Sequence, residues 1–214
     1  MSKASGGLPQ IKVCGLTRAE DVRQAVDSGA DGLGFVHHVP SPRHVERDAL
    51  IELIGGAPDH LCKVLVLVDS PRKAALDLCE ESGAGALQLC GSEKVEDWRD
   101  CPVPILRRIP VDGSGRGQLE RWGGIALGFV LDYPAGPGGS GRTVSAELAA
   151  ELALSAPCLL AGGLDPENVG ARIESVRPFG VDASSRLESA PGKKDHRRVQ
   201  LFVEAARKAL LSTD

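Results

Sequence analysis

The sequence predicts an α/β protein folded as a single-domain (β/α)8 TIM barrel over residues 1–214. Three observations predict it. Eight short apolar runs alternate with amphipathic or alanine-rich stretches from end to end. Alternation of this kind forces parallel strands joined by helical crossovers. No Gly-x-Gly-x-x-Gly fingerprint follows the first run, as a doubly wound dinucleotide fold often has, and eight units in 214 residues suit a compact closed barrel.

Taken in order, the predicted strands are Gln10 to Cys14, Gly32 to Val36, Lys63 to Asp69, Ala86 to Cys90, Val103 to Ile109, Leu127 to Asp132, Cys158 to Ala161 and Phe179 to Ala183. Helical spacing of apolar residues marks Arg18 to Ser28, Pro71 to Ser82, Ala146 to Ser155 and Asp195 to Leu211. Thr17 with Glu20 three residues on reads as a capping box for the first helix, and Ser70 before Pro71 as an N-cap with proline at the first helical position. Ser28-Gly29-Ala30-Asp31-Gly32-Leu33-Gly34 and Ser82-Gly83-Ala84-Gly85-Ala86-Leu87-Gln88 echo one another as a helix end, a glycine stop and a new strand.

Composition narrows the function classes. Hydrophobic residues make up 42% and charged residues 25%, the balance of an ordinary globular domain. A net charge of −4 and 3% aromatics argue against a nucleic-acid partner. No apolar run is long enough to span a bilayer and Met1 to Pro9 lacks an apolar signal region, so a cytoplasmic protein with no membrane partner is expected. The six cysteines (14, 62, 79, 90, 101 and 158) have neither Cys-x-x-Cys pairing nor metal-ligand spacing, which suits free thiols in a reduced compartment.

The candidate chemistry lies at the strand ends, where a barrel of this kind keeps its active site. Residues two apart on a strand share a face, so Lys12 and Cys14 point into the barrel while Ile11 and Val13 meet the helices. An ammonium beside a thiol favours the thiolate, as a base or nucleophile requires. Val130 and Asp132 point inward by the same rule, placing a carboxylate at the pocket mouth. Asp69 has a structural account, since Ser70-Pro71 opens a helix directly after it. In a closed barrel the last strand lies beside the first, so Asp182 is expected to meet Lys12 in an interior ion pair. Gly162-Gly163 and Ser184-Ser185, after the last two strands, offer backbone N–H groups to a phosphate. Arg43, in Ser41-Pro42-Arg43, offers a guanidinium to a carboxylate or phosphate. Gly136 to Arg142 reads as a lid or a flexible connection, and the adjacent His37 and His38 face opposite ways, a poor metal pair.

Together these segments resemble the phosphoribosylanthranilate isomerase family over essentially the whole chain. The stretches that carry the resemblance are Lys12-Val13-Cys14-Gly15-Leu16-Thr17, Gly29 to Phe35 with Ser41-Pro42-Arg43, Gln88-Leu89, Leu131-Asp132, Leu160 to Leu164 with Pro166-Glu167-Asn168-Val169, and Gly180-Val181-Asp182 with Ser184-Ser185. The resemblance implies a cofactor-free, metal-free Amadori rearrangement of a small phosphosugar in tryptophan biosynthesis. It implies Cys14 as base, Asp132 as acid and Arg43 as receptor of the anthranilate carboxylate. Gly162, Gly163, Asp182, Ser184 and Ser185 would bind substrate, with Lys12 and Gln88 in support, in a monomer or homodimer. For that chemistry the site must raise Asp132 and lower Cys14 from their ordinary pKa values, with Lys12 the nearest source of the second shift. Three departures stand out: Cys90 where the family has His, Arg186 where it has Gly, and Gly138-Gly139-Ser140-Gly141-Arg142-Thr143-Val144-Ser145-Ala146 where it has Gly-Gly-Thr-Gly-Lys-Thr-Phe-Asp-Trp. They keep two alternatives open: an isomerase for another phosphorylated amino sugar, and a catalytically silent phosphosugar-binding barrel.

Overall fold

A computed structural model describes residues 7–134 and 143–213. Eight parallel strands close into a barrel in sequence order: β1 (Ile11–Cys14), β2 (Gly32–Val36), β3 (Cys62–Leu67), β4 (Ala86–Leu89), β5 (Ile105–Pro110), β6 (Gly128–Asp132), β7 (Cys158–Leu160) and β8 (Gly180–Ala183). The helices are α1 (Ala19–Ser28), α2 (Arg47–Gly55), α3 (Arg72–Ser82), α4 (Gly115–Trp122), α5 (Ala146–Ala153), α6 (Val169–Val176) and α7 (His196–Thr213). Between β4 and β5 the crossover is a single 3-10 turn, Val95–Trp98. A short antiparallel hairpin, β9 (Glu188–Ala190) and β10 (Lys193–Lys194), precedes α7. The lid segment Gly136 to Arg142 lies outside the described residues.

Two separate apolar layers follow from strand alternation. Ile11, Val13, Leu33, Phe35, Leu65, Phe129, Leu131 and Val181 point outward and pack with helix residues such as Leu50, Ile173 and Phe202. Inside the barrel Cys14, Val64, Val66, Ala86, Leu106, Val130 and Leu159 form a smaller cluster. Burying a side chain the size of Phe35 or Phe202, both fully enclosed, contributes roughly 1.5–3 kcal/mol. The seam where β8 meets β1 is in register at Lys12 and Asp182.

The echoed glycines behave alike: Gly29 and Gly83 cap α1 and α3 at φ 91° and 73°. Two caps differ from expectation. Arg18, not Thr17, occupies the N-cap of α1, because the Thr17 hydroxyl donates instead to the Gly192 carbonyl at 2.5 Å, tying the first βα loop to the hairpin. Pro71 is itself the N-cap of α3, at ψ 132°, so Ser70 stands outside the helix. Ser145 caps α5, accepting from Leu148 N at 3.4 Å. β3 stops at Leu67, and Asp69, at φ 51°, turns its carboxylate to Ser92 N at 2.6 Å and Ser92 Oγ at 2.9 Å, so it holds the loop after β4.

Where the 3-10 turn replaces a full helix, charge fills the outer layer. Arg107 points outward from β5, donates to Leu89 O at 3.3 Å and Gly91 O at 2.7 Å, pairs with Glu93, and lies 4.9 Å from the Trp122 ring centroid. A buried guanidinium is tolerated there because carbonyls, a carboxylate and an aromatic face surround it.

Candidate active site

The barrel's C-terminal mouth opens on a cavity of about 340 Å³. Its floor is built from inward strand residues, including Cys14 of β1, Gln88 of β4, Asp132 of β6 and Asp182 of β8, and Cys90 just beyond β4. Its walls are three loops: His38 to Arg43, Ala161 to Leu164, and Ser184 to Arg186. Every residue given a catalytic, substrate-binding or supporting role from the sequence lines this cavity except Lys12, which is fully buried two residues before Cys14 on β1.

Lys12 Nζ donates to Asp182 Oδ2 at 2.9 Å, and its charge acts on the neighbouring Cys14 thiol. Burial alone would lower this ammonium, but Asp182 and Cys14 outweigh it and hold its pKa raised, so the lysine stays charged. Gly34 leaves room for this arrangement, since a Cβ there would sit 2.7 Å from Cys14 Sγ and 3.1 Å from Lys12 Nζ. The effect on Cys14 differs from expectation. Burial pushes the thiol up and outweighs the downward pull of Lys12, with Asp182 adding to the rise. Lys12 acts in the expected direction, but removal from water is the larger effect. Cys90, also buried, is pushed up to about 12 and accepts from Gln88 Nε2 at 3.3 Å.

Asp132 is held from two sides. Its Oδ1 accepts the Tyr133 backbone N–H at 2.8 Å, and its Oδ2 faces Arg108 Nε at 3.3 Å. Arg108 also donates to the Tyr133 carbonyl, so its fork fixes both the carboxylate and the strand end that carries it. Across the cavity, Asp182 Oδ1 and Gln88 Oε1 are buried acceptors with no hydrogen-bond partner among the described residues.

Arg43 is not an exposed loop residue, being 9% exposed. Its Nε and Nη2 each lie 2.7 Å from the Glu188 carboxylate, a bidentate pair that leaves Nη1 for a ligand. Glu188 in turn takes Lys194 Nζ at 2.9 Å, and Lys194 also reaches the Ser184 carbonyl at 3.2 Å. Burial drives the Lys194 ammonium down, and Glu188 opposes this. One carboxylate is thus shared by two basic side chains far apart in the sequence. Gly15, at φ 72°, is required beneath them, because a Cβ would collide with Arg43 Cδ and stand 2.8 Å from Ser184 Oγ. Glu188→Gln is expected to cost about 3–5 kcal/mol by leaving buried cations unmatched, measured by urea unfolding.

The last two loops present backbone. The N–H groups of Gly162, Gly163, Leu164, Ser184 and Ser185 donate to no protein acceptor among the described residues. Gly162 and Gly163 are both left-handed, at φ 79° and 67°. Asn168 Nδ2 holds the Gly163 carbonyl at 2.9 Å, and Asn168 and Asp165 exchange backbone-to-side-chain bonds at 3.1 and 2.9 Å, which locks the first of these loops. Arg108, Glu188, Lys194 and Asn168 were not singled out from the sequence as site residues; the pattern Asp-x-x-Asn around residues 165–168 was the one local signal available.

With this geometry in place, comparison with known proteins decides the family. The family model described as N-(5'phosphoribosyl)anthranilate (PRA) isomerase matches residues 11–205. The chain belongs to the phosphoribosylanthranilate isomerase family. Relatives of that name from Rubrobacter xylanophilus and Desulforudis audaxviator are 38% and 37% identical, each over 94% of this chain and 100% and 98% of their own lengths. The solved phosphoribosylanthranilate isomerase of Thermotoga maritima superposes with a TM-score of 0.86 at 30% identity, covering 94% of this chain and all of its own. A second solved isomerase, in complex with reduced 1-(o-carboxyphenylamino)-1-deoxyribulose 5-phosphate, gives 0.84 at 29% identity, with coverage of 94% and 100%. No helix among the described residues is long and apolar enough to cross a membrane.

Proposed function

We propose that Cys14 and Asp132 are the base and acid that isomerise N-(5'-phosphoribosyl)anthranilate to 1-(2-carboxyphenylamino)-1-deoxyribulose 5-phosphate. The reaction class is that of the family, a cofactor-independent isomerase of tryptophan biosynthesis. The observation that carries the assignment of roles is that Cys14 and Asp132, from β1 and β6 and each 8% exposed, line one cavity between an arginine fork and a cradle of undonated N–H groups.

Asp132 gives a proton to the furanose oxygen as the C1–O bond breaks and the amine lone pair closes a C1=N iminium. Cys14 takes the proton from C2, the electron pair moves to form an enaminol, and a proton added at C1 from solvent as the C2 hydroxyl gives its own proton up to solvent leaves the C2 ketone. Arg43 Nη1 receives the anthranilate carboxylate, held in place by Glu188. Gly162, Gly163, Ser184 and Ser185 receive the phosphate through backbone N–H groups. Gln88 Oε1 and Asp182 Oδ1, both lacking partners among the described residues, accept ribose hydroxyls, since a buried acceptor gains most from a donor. Burial pushes the Asp182 carboxyl above its ordinary range, and Lys12 opposes that rise. The protein works in the cytoplasm as a monomer or homodimer; the Thermotoga maritima relative is described as dimeric.

Freshly prepared phosphoribosylanthranilate, followed by loss of its fluorescence, tests the reading. Rapid turnover supports it. Tight binding without turnover would support the silent phosphosugar-binding barrel, and turnover only of another phosphorylated amino sugar would support the diverged isomerase.

A further inference from the structure

The hairpin β9–β10 holds a buried amine that the reaction as described does not use. Lys194 stands opposite Glu188 in the hairpin register, and its Nζ lies 2.9 Å from Glu188 Oε1 and 3.2 Å from the Ser184 carbonyl. Its side chain is fully buried, and that of Glu188 is 5% exposed. The same Glu188 Oε1 takes Arg43 Nε at 2.7 Å, while Oε2 takes Arg43 Nη2 at 2.7 Å. Two basic groups therefore converge on one carboxylate. The neighbouring acids are engaged elsewhere: Asp182 with Lys12 at 2.9 Å, and Asp21, whose Oδ2 accepts the Lys194 backbone N–H at 3.1 Å, with the Arg18 fork and His196. Of Arg43, Glu188 and Lys194, only Arg43 lines the cavity.

The clamp on Arg43 raises a difficulty for its role as a receptor. A guanidinium held bidentately by a carboxylate forms a pair with no net charge, so a second carboxylate brought to Nη1 is drawn by the cation and repelled by Glu188 at similar range. Lys194 changes the balance, because the trio then carries an excess positive charge in surroundings largely out of water. We propose that Lys194 sets the enzyme's preference for an anionic arylamine: by sharing Glu188, it lets that carboxylate fix Arg43 in place without cancelling the charge that Arg43 offers the substrate. This rests on the placement of the anthranilate carboxylate at Arg43. Lys194 is a positioning residue, acting through Glu188 and Arg43 rather than on the substrate itself. Burial lowers its ammonium and Glu188 opposes that fall; a bound carboxylate works in the same direction as Glu188, so ligand and ammonium favour one another.

Two substrates prepared from ribose 5-phosphate, one with anthranilate and one with aniline, differ only in the carboxylate. The ratio of their kcat/KM values measures the preference, and effects of Lys194 on Cys14 or on the phosphate cancel in it. Wild type is expected to prefer the anthranilate substrate by roughly 10–100-fold, the worth of a hydrogen bond to a charged group. Arg43→Met should abolish the preference. Lys194→Met and Lys194→Gln should each give up at least about fivefold of it; glutamine keeps a donor for Glu188 or Ser184 but carries no charge, so a merely structural clasp would survive that change. No preference in wild type, or one that survives Arg43→Met, would overturn the carboxylate placement and the proposal together. A preference lost in Arg43→Met but kept within twofold of wild type in either Lys194 variant, shown by circular dichroism to be folded, would overturn the proposal alone. Failure of both Lys194 variants to fold would make Lys194 a structural clasp and overturn it likewise.

Discussion

Cys14→Ala is expected to lower turnover of phosphoribosylanthranilate by roughly 10²–10⁴-fold, the range a positioned general base supplies, with the barrel still folded. The substitution removes one buried sulfur from the inner cluster, a change worth about 1 kcal/mol among point substitutions. The pH profile makes the assignment sharper. Burial holds the thiol above its ordinary range against the pull of Lys12, so the basic thiolate gains population as pH rises. Wild-type kcat/KM should climb on the alkaline side, and that climb should vanish in the alanine variant. Steady-state kinetics across pH, with circular dichroism on each variant, check both points. A folded Cys14→Ala protein that keeps near wild-type turnover would end the role given to this residue.

For Asp132→Asn the expected loss is of similar size, because the proton for the ring oxygen has no other carboxyl donor fixed at that strand end. The amide also disturbs its surroundings. One Asp132 oxygen faces the Tyr133 N–H and the other faces Arg108 Nε, so an NH₂ placed at either position meets a donor, at a cost of about 1–3 kcal/mol. Asp132→Ala removes the carboxyl without creating that clash. Both variants should lose turnover, whereas the donor clash should weaken only the asparagine variant in urea unfolding. Turnover surviving in Asp132→Ala would move the acid elsewhere in the cavity.

The strand order and the inward residues were readable from the sequence because a parallel strand covered on both faces is an apolar run, and a polar residue such as Lys12, Asp132 or Asp182 inside one stands out. Other features depend on partners far away along the chain. Arg43 and Glu188 are 145 residues apart, and Thr17 abandons its capping box for a carbonyl 175 residues away. No local pattern marks such pairs. Arg108 is hidden for another reason: it follows Arg107 on β5, and only the alternation of faces tells that one guanidinium serves the outer layer and the other the pocket. The sign of the Cys14 shift was missed because Lys12 is visible two residues away while the depth of burial is a property of the closed barrel. The chain between β4 and β5 has the length of a crossover but forms only the turn Val95–Trp98, with Arg107, Glu93 and Trp122 in contact beside it.

The ion pair at the β1–β8 seam also sets when the enzyme can first exist. Lys12 and Asp182 are separated by 170 residues, so the amine beside Cys14 has no such counter-charge until the chain through Asp182 has been made and β8 has docked against β1. An emerging chain that has laid down seven strands holds an ammonium it cannot bury, which favours a loose, hydrated first strand over a premature closed form. The surroundings of Cys14 are thus completed only when β8 pairs with β1.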